Sequence, residues 1–279
     1  MTRLASWADF GTHDESAYPE LWRGCVGAWA PCLGTTGLTL YDLSKRRLRG
    51  TIENSVASDV WVCSGGRYAL RFNRGGNRDR VDVGNVCFFA QDFSVSFWVN
   101  KLGTPVSPYE NIWGVGRWNT GASAGTNEYM VALNNGSNNF PSFFIEISGT
   151  TYTVASATAL TLGTWSHVCG VRRGTQIEIY LNGNLTGTAT VPSGSITNNN
   201  RNFRIADSDI SVDLQANAEF DDIRAFDWAI TPNPIRILAA RRGIAYERRK
   251  RRSVFFEAAF FNPAWARNSN VILSPVGAA

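Results

Sequence analysis

Apolar and polar residues alternate along the chain from about residue 26 to residue 226. In residues 93–99, Phe, Val, Phe and Val alternate with Ser, Ser and Trp, and residues 176–181 show the same period of two. Successive side chains of a β-strand point to opposite faces, so this pattern predicts strands with one face in a core. Further strands are predicted at 26–30, 68–72, 80–83, 112–116, 129–133, 143–147, 165–172, 203–206 and 219–226.

Turn residues interrupt these strands at short intervals. The dipeptide Asn182-Gly183 lies between two strand-like runs and readily adopts the positive φ angles of a type I′ hairpin turn. The 26 glycines and the 12% aromatic content fit short strands joined by tight turns. The pattern predicts an all-β protein, a sandwich or barrel rather than alternating strands and helices.

A single short helix is predicted after the strands. Thr231 is a candidate N-cap, and the prolines that follow it suit a first helical turn. Arg241 and Arg242 are predicted in the last turn, where cations complement the helix dipole. Gly243 is predicted to end the helix.

Positive charge is concentrated in one segment. Residues 236–252 hold eight basic side chains and one acid, so the rest of the chain carries −3 of the net +4. Residues 253–279 are rich in aromatic side chains and would aggregate if left in water. We predict an arm that docks onto a partner, with charge steering the encounter and aromatic anchors supplying affinity. The predicted docking residues are Arg248, Arg249, Lys250, Arg251, Arg252, Phe255, Phe256, Phe260, Phe261 and Trp265.

The cysteines and histidines argue against a disulfide scaffold and against zinc. The five cysteines are odd in number and form no C-x-x-C pair, and neither histidine is at ligand spacing from a thiol. We interpret the cysteines as small buried hydrophobes of a protein made in a reducing cytosol. We expect no signal peptide and no membrane span, because no basic leader and no long apolar run is present.

Five ordered segments resemble the laminin-G-like (concanavalin A-like) jelly-roll family. They are V-G-A-W…L-Y-D-L-S at 26–44, Y-A-L-R-F…R-V-D-V at 68–83, F-S-V-S-F-W-V at 93–99, W-S-H-V…I-Y-L-N-G at 165–183 and F-D-D-I-R…A-I-T at 220–231. The resemblance implies a two-sheet antiparallel jelly-roll sandwich, here with one short C-terminal helix and extended terminal arms. The predicted divisions are an N-terminal arm at 1–24, the laminin-G-like domain at 25–245 and a docking arm at 246–279.

Two flanking segments resemble a narrower group. L-W-R-G-C-V-G-A-W at 21–29 and A-W-A-R-N-S-N at 264–270 are similar to single-domain laminin-G-like proteins of tailed phages and prophages. This resemblance implies a virion protein that is synthesised in the host cytoplasm without a signal peptide. The implied partners are a capsid or tail structural protein and sister copies, as a homo-oligomer or in multiple copies on the particle.

The glycanases of this fold place catalytic carboxylates at E-x-D-x-x-E spacing on one strand. Glu219 and Asp221 match the first two positions, but Arg224 stands at the third. We therefore predict that the protein is not an enzyme. Asp221 and Asp222 are interpreted as partners of turns or of Arg224, and His167 is interpreted as a hydrogen-bonded core residue.

Two kinds of ligand are considered. Calcium could bind at Asp207, Asp209 and Asp213, although a solvated turn is the favoured interpretation, and no other cofactor is predicted. Glycan contact requires an aromatic platform beside amides. The competing interpretation is that the tryptophans fill the core and the asparagines form turns. The candidate glycan-binding residues are Trp113, Trp118, Asn119, Asn134 and Asn135.

The sequence thus predicts a non-enzymatic virion structural or decoration protein, a capsid or tail accessory whose lectin-like sandwich contacts cell-surface glycans. The alternative is a carbohydrate-binding or adhesion module without a virion role. Nucleic acid is disfavoured as a partner, because aromatic residues are not interleaved with the basic run.

Overall fold

The structure is a computed structural model that describes residues 17–73, 79–104, 114–118, 125–134, 138–206 and 216–247. The chain divides into two compact units, Met1–Arg248 and Arg249–Ala279. Every described residue belongs to the first unit, and the description below concerns that unit alone.

The first of two antiparallel sheets has eight strands. Its order is β14-β13-β12-β7-β16-β5-β4, and β1 pairs with the C-terminal half of β16. The strands are β1 (Cys25–Trp29), β4 (Trp61–Ser64), β5 (Arg67–Phe72), β7 (Phe93–Lys101), β12 (Trp165–Arg173), β13 (Gln176–Leu181), β14 (Asn184–Thr190) and β16 (Ala218–Phe226).

The second sheet also has eight strands, in the order β11-β10-β9-β8-β15-β6-β3-β2. They are β2 (Thr39–Tyr41), β3 (Arg49–Glu53), β6 (Arg80–Gly84), β8 (Val115–Arg117), β9 (Tyr129–Ala132), β10 (Ser142–Ile147), β11 (Thr150–Ala155) and β15 (Phe203–Ile205). Two such sheets packed face to face form the predicted jelly-roll sandwich, so the predicted fold class is confirmed.

The predicted alternation in β7 produces the core between the sheets. Phe93, Val95, Phe97 and Val99 are fully buried there, whereas the intervening residues face outward from the sandwich. The ring of Phe93 lies 4.6 Å from that of Tyr129 on the second sheet. Burying one such side chain contributes roughly 1.5–3 kcal/mol, so strands like this one dominate the stability of the sandwich.

Short helical segments cover the outer face of the first sheet. They are α1 (Pro19–Trp22), α3 (Pro232–Ala240) and a 3₁₀ turn at Ile244–Tyr246. Their apolar side chains form a second buried layer with Cys169, Val171 and Phe226 of the sheet. Two other short elements, α2 (Ala57–Val60) and a 3₁₀ turn at Pro31–Leu33, lie elsewhere in the chain.

The C-terminal end of the predicted helix needs correction. Thr231 is the N-cap residue as predicted, but the helix ends at Ala240, so no cation lies in its last turn. Arg242 is buried and donates to the carbonyl oxygen of Ser64 at 2.5 Å, and its guanidinium lies 3.9 Å from the ring centre of Trp165. Its role is a tertiary contact rather than a helix-dipole contact.

The hairpin turn follows the prediction. Asn182 and Gly183 have φ angles of 51° and 81°, which are the two positive values that a type I′ turn requires. In the part of the chain that the structure describes, no helix is long and apolar enough to span a membrane.

All five cysteines are free thiols. Cys87 and Cys169 are buried as predicted, and burial raises their pKa above its ordinary value. Cys25 and Cys32 are half-buried. The prediction is wrong for Cys63, which is exposed on β4, the strand that ends the first sheet.

Candidate functional site

The strand β16 places Glu219, the first of the glycanase-like positions, in a saturated hydrogen-bond network. One carboxylate oxygen accepts bonds from Ser64 Oγ at 2.5 Å and Asn100 Nδ2 at 2.9 Å. The other oxygen accepts from Arg71 Nε at 2.9 Å. Burial would raise the pKa of Glu219, but these hydrogen bonds outweigh it and hold the pKa below its ordinary value. Glu219 is therefore a fixed anion.

A β-bulge follows Glu219 and changes which residues face outward. The pairing register of β16 with β7 shifts between Asp221 and Arg224, and Asp222 has a φ of 46°. Without the bulge Arg224 would point into the core; with it, Ile223 enters the core and Arg224 reaches the outer face. The bulge thus gathers Asp221, Asp222 and Arg224 on one face.

Asp222 and Arg224 form a buried ion pair. Arg224 Nε donates to Asp222 Oδ1 at 2.9 Å, and both side chains are almost completely buried. The guanidinium contacts two aromatic rings that pack edge to face, with its centre 4.6 Å from the ring centre of Trp22 and 4.7 Å from that of Tyr246. Its Nη1 also donates to the carbonyl oxygen of Leu21 at 3.1 Å. The pair therefore attaches both terminal segments of the described chain to β16, and the predicted partnership of Asp222 with Arg224 is confirmed.

Asp221 is buried beside this pair. Its Oδ1 accepts from the backbone N–H of Cys32 at 2.9 Å, and Arg242 Nη1 lies 3.7 Å from Oδ2. Burial and the negative charge of Asp222 raise the pKa of Asp221 to about 7, although Arg242 opposes the shift. The predicted role as a turn partner is confirmed, because the bond to Cys32 fixes the 3₁₀ turn at Pro31–Leu33.

Residues 241–247, which we call the strap, lie over this ionic cluster. The backbone N–H of Gly243 donates to Asp222 Oδ2 at 3.1 Å, and Trp22 Nε1 donates to the carbonyl oxygen of Ala245 at 3.3 Å. Glu247 pairs with Arg241 and lies 3.7 Å from Arg67. The last described residues are therefore held on the sandwich.

The outer face also holds a set of buried polar atoms. His167 is buried as predicted, but it lies on this outer face and not between the sheets; its ring is 5.7 Å from that of Trp98, and burial lowers its pKa to about 4. Its Nδ1, however, has no hydrogen-bond partner within the described ranges. The same holds for Ser96 Oγ, Asn100 Oδ1, Asp221 Oδ2, Arg224 Nη2, Arg242 Nη1 and the Tyr246 hydroxyl. Such a layer is suited to ordered water.

Only two of the candidate glycan-binding residues lie in the described part of the chain. Trp118 is 9% exposed and packs against Met130 and Phe144. Asn134 is fully buried. The candidates Trp113, Asn119 and Asn135 lie outside the described residues.

The calcium and docking predictions also fall outside the described residues. Asp207, Asp209 and Asp213 are not described, and neither is any of the docking residues at 248–265. Among the residues that are described, no group of three or more Cys, His, Asp or Glu side chains could hold a metal ion. The calcium and docking assignments therefore stay predictions.

Several important residues were not singled out from the sequence. Trp22 and Tyr246 enclose Arg224 from opposite ends of the chain, more than 200 residues apart, so no local pattern joins them. Arg117 and Glu128 form a second fully buried ion pair on the other sheet. The available signal was that Arg117 and Glu128 each adjoin apolar strand residues, because a charged side chain that is buried is normally paired.

The two antiparallel sheets form a jelly-roll sandwich, and the buried ionic layer closes the outer face of the first sheet. The family model described as concanavalin A-like lectin/glucanases superfamily (Laminin_G_3) matches residues 75–236. The chain belongs to this family, as its sequence motifs indicated. No curated protein sequence matches the chain.

Several solved structures share the fold. The binding domain of Paraclostridial Mosquitocidal Protein 1 is 12% identical with a TM-score of 0.58, covering 78% of this chain and 52% of that one. The binding domain of botulinum neurotoxin DC, solved in complex with SialylT, is 17% identical with a TM-score of 0.57, covering 79% and 52%. The chain thus spans about half the length of these two toxin domains.

A third similar structure is domain 4 of AbnA, a GH43 extracellular arabinanase from Geobacillus stearothermophilus, solved with arabinotriose. It is 16% identical with a TM-score of 0.53, and the match covers 76% of this chain and 99% of that domain. At these identities the likeness establishes the fold alone.

Proposed function

We propose that this protein is a non-enzymatic glycan-recognition sandwich that is displayed on a virion and attached through the part of its predicted C-terminal arm (246–279) that follows the strap, residues 248–279. The observation that carries the proposal is the closed carboxylate network of β16. A recognition role, unlike catalysis, does not require a carboxylate that is free to exchange a proton.

The geometry of the carboxylates supports binding rather than hydrolysis. A glycanase needs a general acid with a raised pKa and a second carboxylate, both in contact with the sugar. The pKa of Glu219 is lowered instead, and its two oxygens accept bonds from the protein. Asp221 has a raised pKa but is fully buried, so a sugar cannot reach it. Arg224 replaces the third carboxylate and is enclosed by aromatic rings.

The strap supports attachment through the arm. The basic run begins directly after Glu247, with no Gly- or Ser-rich linker between them. Glu247 itself is paired with Arg241, and the preceding residues are bonded to β16 and α1. A partner that binds the basic and aromatic residues of the arm would therefore be joined to the sandwich through a segment without a Gly- or Ser-rich linker.

The structural relatives support a glycan as the displayed sandwich's ligand. Two of them were solved in complex with a ligand, SialylT for the neurotoxin binding domain and arabinotriose for the arabinanase domain. The phage-like flanking motifs support a virion rather than a secreted location, with a capsid or tail protein and sister copies as partners. Calcium at the aspartates near residue 210 stays part of this proposal and is tested by titrating the metal.

Truncation after Glu247 tests the attachment. Virions purified on a density gradient from cells expressing the full chain should contain it, whereas the truncated chain should remain folded and leave the particle fraction. A matched full-length variant with the five docking aromatics replaced by serine should also be lost from the particles. Truncated protein that still migrates with virions would contradict the proposal.

The second candidate function is a carbohydrate-binding module without a virion role. The observation that favours it is the 99% coverage of the arabinanase domain, where a sandwich of similar size is one domain of an enzyme. Sugar binding by a chain that never associates with particles, before or after truncation, would select this candidate.

A further inference from the structure

A group of asparagines lies around the second buried ion pair. Arg117, at the end of β8, bonds Glu128 through Nε and through Nη2, the latter at 3.1 Å, and both side chains are fully buried. Glu128 Oε1 also accepts the backbone N–H groups of Asn199 at 2.9 Å and Arg201 at 3.2 Å. The ion pair therefore fixes the backbone of the segment that leads into β15.

Arg117 also orients two exposed amides. Its Nη2 lies 2.8 Å from Asn85 Oδ1 and 3.3 Å from Asn198 Oδ1. A guanidinium has only donors, so each amide must turn its oxygen toward Arg117 and its NH₂ group away. The orientation of these two amides is thereby settled by chemistry, although amide oxygen and nitrogen are otherwise easily exchanged.

The orientation of the Asn85 amide also determines that of a third amide, Asn200. Because the oxygen of Asn85 faces Arg117, its Nδ2 faces Asn200 and lies 3.1 Å from Asn200 Oδ1. The backbone N–H of Asn200 donates to Asn198 Oδ1 at 3.0 Å, which closes the group. We call Asn85, Asn198 and Asn200 the amide array, and all three residues are exposed.

The array presents N–H donors on its outer side. Each of its three side-chain oxygens accepts at least one hydrogen bond from the protein, and Asn198 Oδ1 accepts two. By contrast, Nδ2 of Asn198 and of Asn200 donates to no described group. Arg201 lies beside the array with no carboxylate within ion-pair distance among the described residues, and its Nε donates to the carbonyl oxygen of Thr126. The local surface is therefore donor-rich and positively charged.

We infer that the amide array binds the carboxylate of an acidic saccharide. The inference rests on the proposed glycan-binding function and specifies the class of sugar. Preoriented N–H donors beside a cation suit an oxyanion, and they lose no side-chain freedom on binding. The array lacks the buried aromatic anchors on which protein interfaces depend. Its contact with a sugar would rest on hydrogen bonds to the carboxylate, not on the aromatic platform considered for Trp113 and Trp118.

The test replaces the outward-facing NH₂ group of an array asparagine with an oxygen and leaves the shape of the side chain almost unchanged. Asn200→Asp and Asn198→Asp keep the inward oxygen and replace the outward NH₂ with a second oxygen. Asp also tolerates the φ of 57° at Asn200. The matched control is Asn184→Asp, the same change at an exposed asparagine of the β13–β14 hairpin.

The full chain and its variants are assayed by calorimetry and on an array of uronate- and sialate-bearing oligosaccharides, each beside its carboxylate-esterified counterpart. The wild type should bind at least one acidic sugar at least tenfold more tightly than its ester. Asn200→Asp and Asn198→Asp should each weaken that binding at least tenfold, and Asn184→Asp should change it less than twofold.

Three results would overturn the inference. Equal binding of acid and ester, unchanged binding by both array variants, or inorganic phosphate displacing the sugar at an equal concentration would each do so. In these cases the wild type still binds a ligand, so the proposed recognition function survives. Absence of binding by the wild type to any sugar, acidic or neutral, would instead contradict the glycan-binding function itself.

Discussion

Among the described residues, each sheet carries one hydrogen-bonded arginine–carboxylate pair whose two side chains are almost completely buried, and the two pairs are used differently. Arg224 and Asp222 lie on the first sheet beneath Trp22 and the strap, so their remaining contacts go to terminal segments. Arg117 and Glu128 lie on the second sheet, and their remaining contacts go to loop backbone and to exposed asparagines.

The difference lies in what surrounds each guanidinium. Two adjacent aromatic rings cover Arg224, so among the described residues its charge holds the segments around Leu21 and Tyr246 on β16. Side-chain amides surround one edge of Arg117, so its donors determine the polarity of an accessible surface. A buried ion pair can thus hold segments of the fold together, or it can orient the polar groups of an exposed surface.

The largest expected effect comes from removing either arginine. Arg117→Met and Arg224→Met should each lower the free energy of unfolding by about 3–5 kcal/mol, because each leaves a buried carboxylate without its cation. Urea denaturation measures the loss. A double variant that also replaces the carboxylate, Asp222→Asn or Glu128→Gln, should recover part of the lost stability. A loss below about 1 kcal/mol in a single variant would contradict the burial of its ion pair.

The same two variants should loosen different segments. Hydrogen exchange should rise in the strap of Arg224→Met and in residues 196–202 of Arg117→Met, because those are the segments that each pair fixes. Faster exchange in both segments of both variants would contradict the separate roles of the two pairs.

Trp22→Leu should have the next largest effect. The change keeps an apolar side chain in place but removes a ring that lies 4.6 Å from the Arg224 guanidinium. A desolvated cation–π contact contributes about 2 kcal/mol, so thermal or urea unfolding should show a loss of about that size. In an Arg224→Met background the same change should cost clearly less, and an equal cost in both backgrounds would show that the ring does not act through Arg224.

Asp221→Asn should change how stability depends on pH. The pKa of Asp221 is raised to about 7 in the folded state and is near 3.8 when unfolded. The wild type therefore loses stability as the pH rises between these values, by at most about 1.4 kcal/mol per pH unit. The variant should lack this loss in urea titrations from pH 5 to 8, and an unchanged slope would contradict a protonated Asp221. His167, whose pKa is lowered to about 4, acts in the opposite direction below pH 6.5 and remains in both proteins.

Tyr246→Phe should have the smallest effect. Its hydroxyl has no hydrogen-bond partner in the described part of the protein. Tyr246 contacts Arg224 through its ring, which the change to Phe keeps. Stability should stay within about 0.5 kcal/mol of the wild type. A larger loss would indicate that ordered water links the hydroxyl to the ionic cluster.

The sequence was most informative where local pattern and tertiary environment agree. The Phe and Val residues of β7 and the Asn182-Gly183 turn form the predicted structures because period-two alternation and positive φ preference act over neighbouring residues. The strand β3 was missed, although its residues also alternate between exposed and buried. One inward position is Gly50, where a Cβ would lie 2.5 Å from Val81 Cγ1, so the apolar signal is absent for a steric reason.

The candidate sites were harder to predict because their contacts are long-range. Glu219 and Arg224 stood out by spacing, but their partners Ser64, Asn100 and Trp22 come from distant segments. The asparagines near residue 200 lie between predicted strands, and no site was predicted there. Only the fold brings them to Arg117, and no local pattern records that proximity.

Recognition without hydrolysis is the central claim, and one measurement tests it most directly. The wild type and Glu219→Gln are incubated with the same immobilised glycans, and bound protein and released sugar are quantified together. The account predicts that both proteins bind and that neither releases sugar. Sugar release by the wild type that disappears in Glu219→Gln would contradict it.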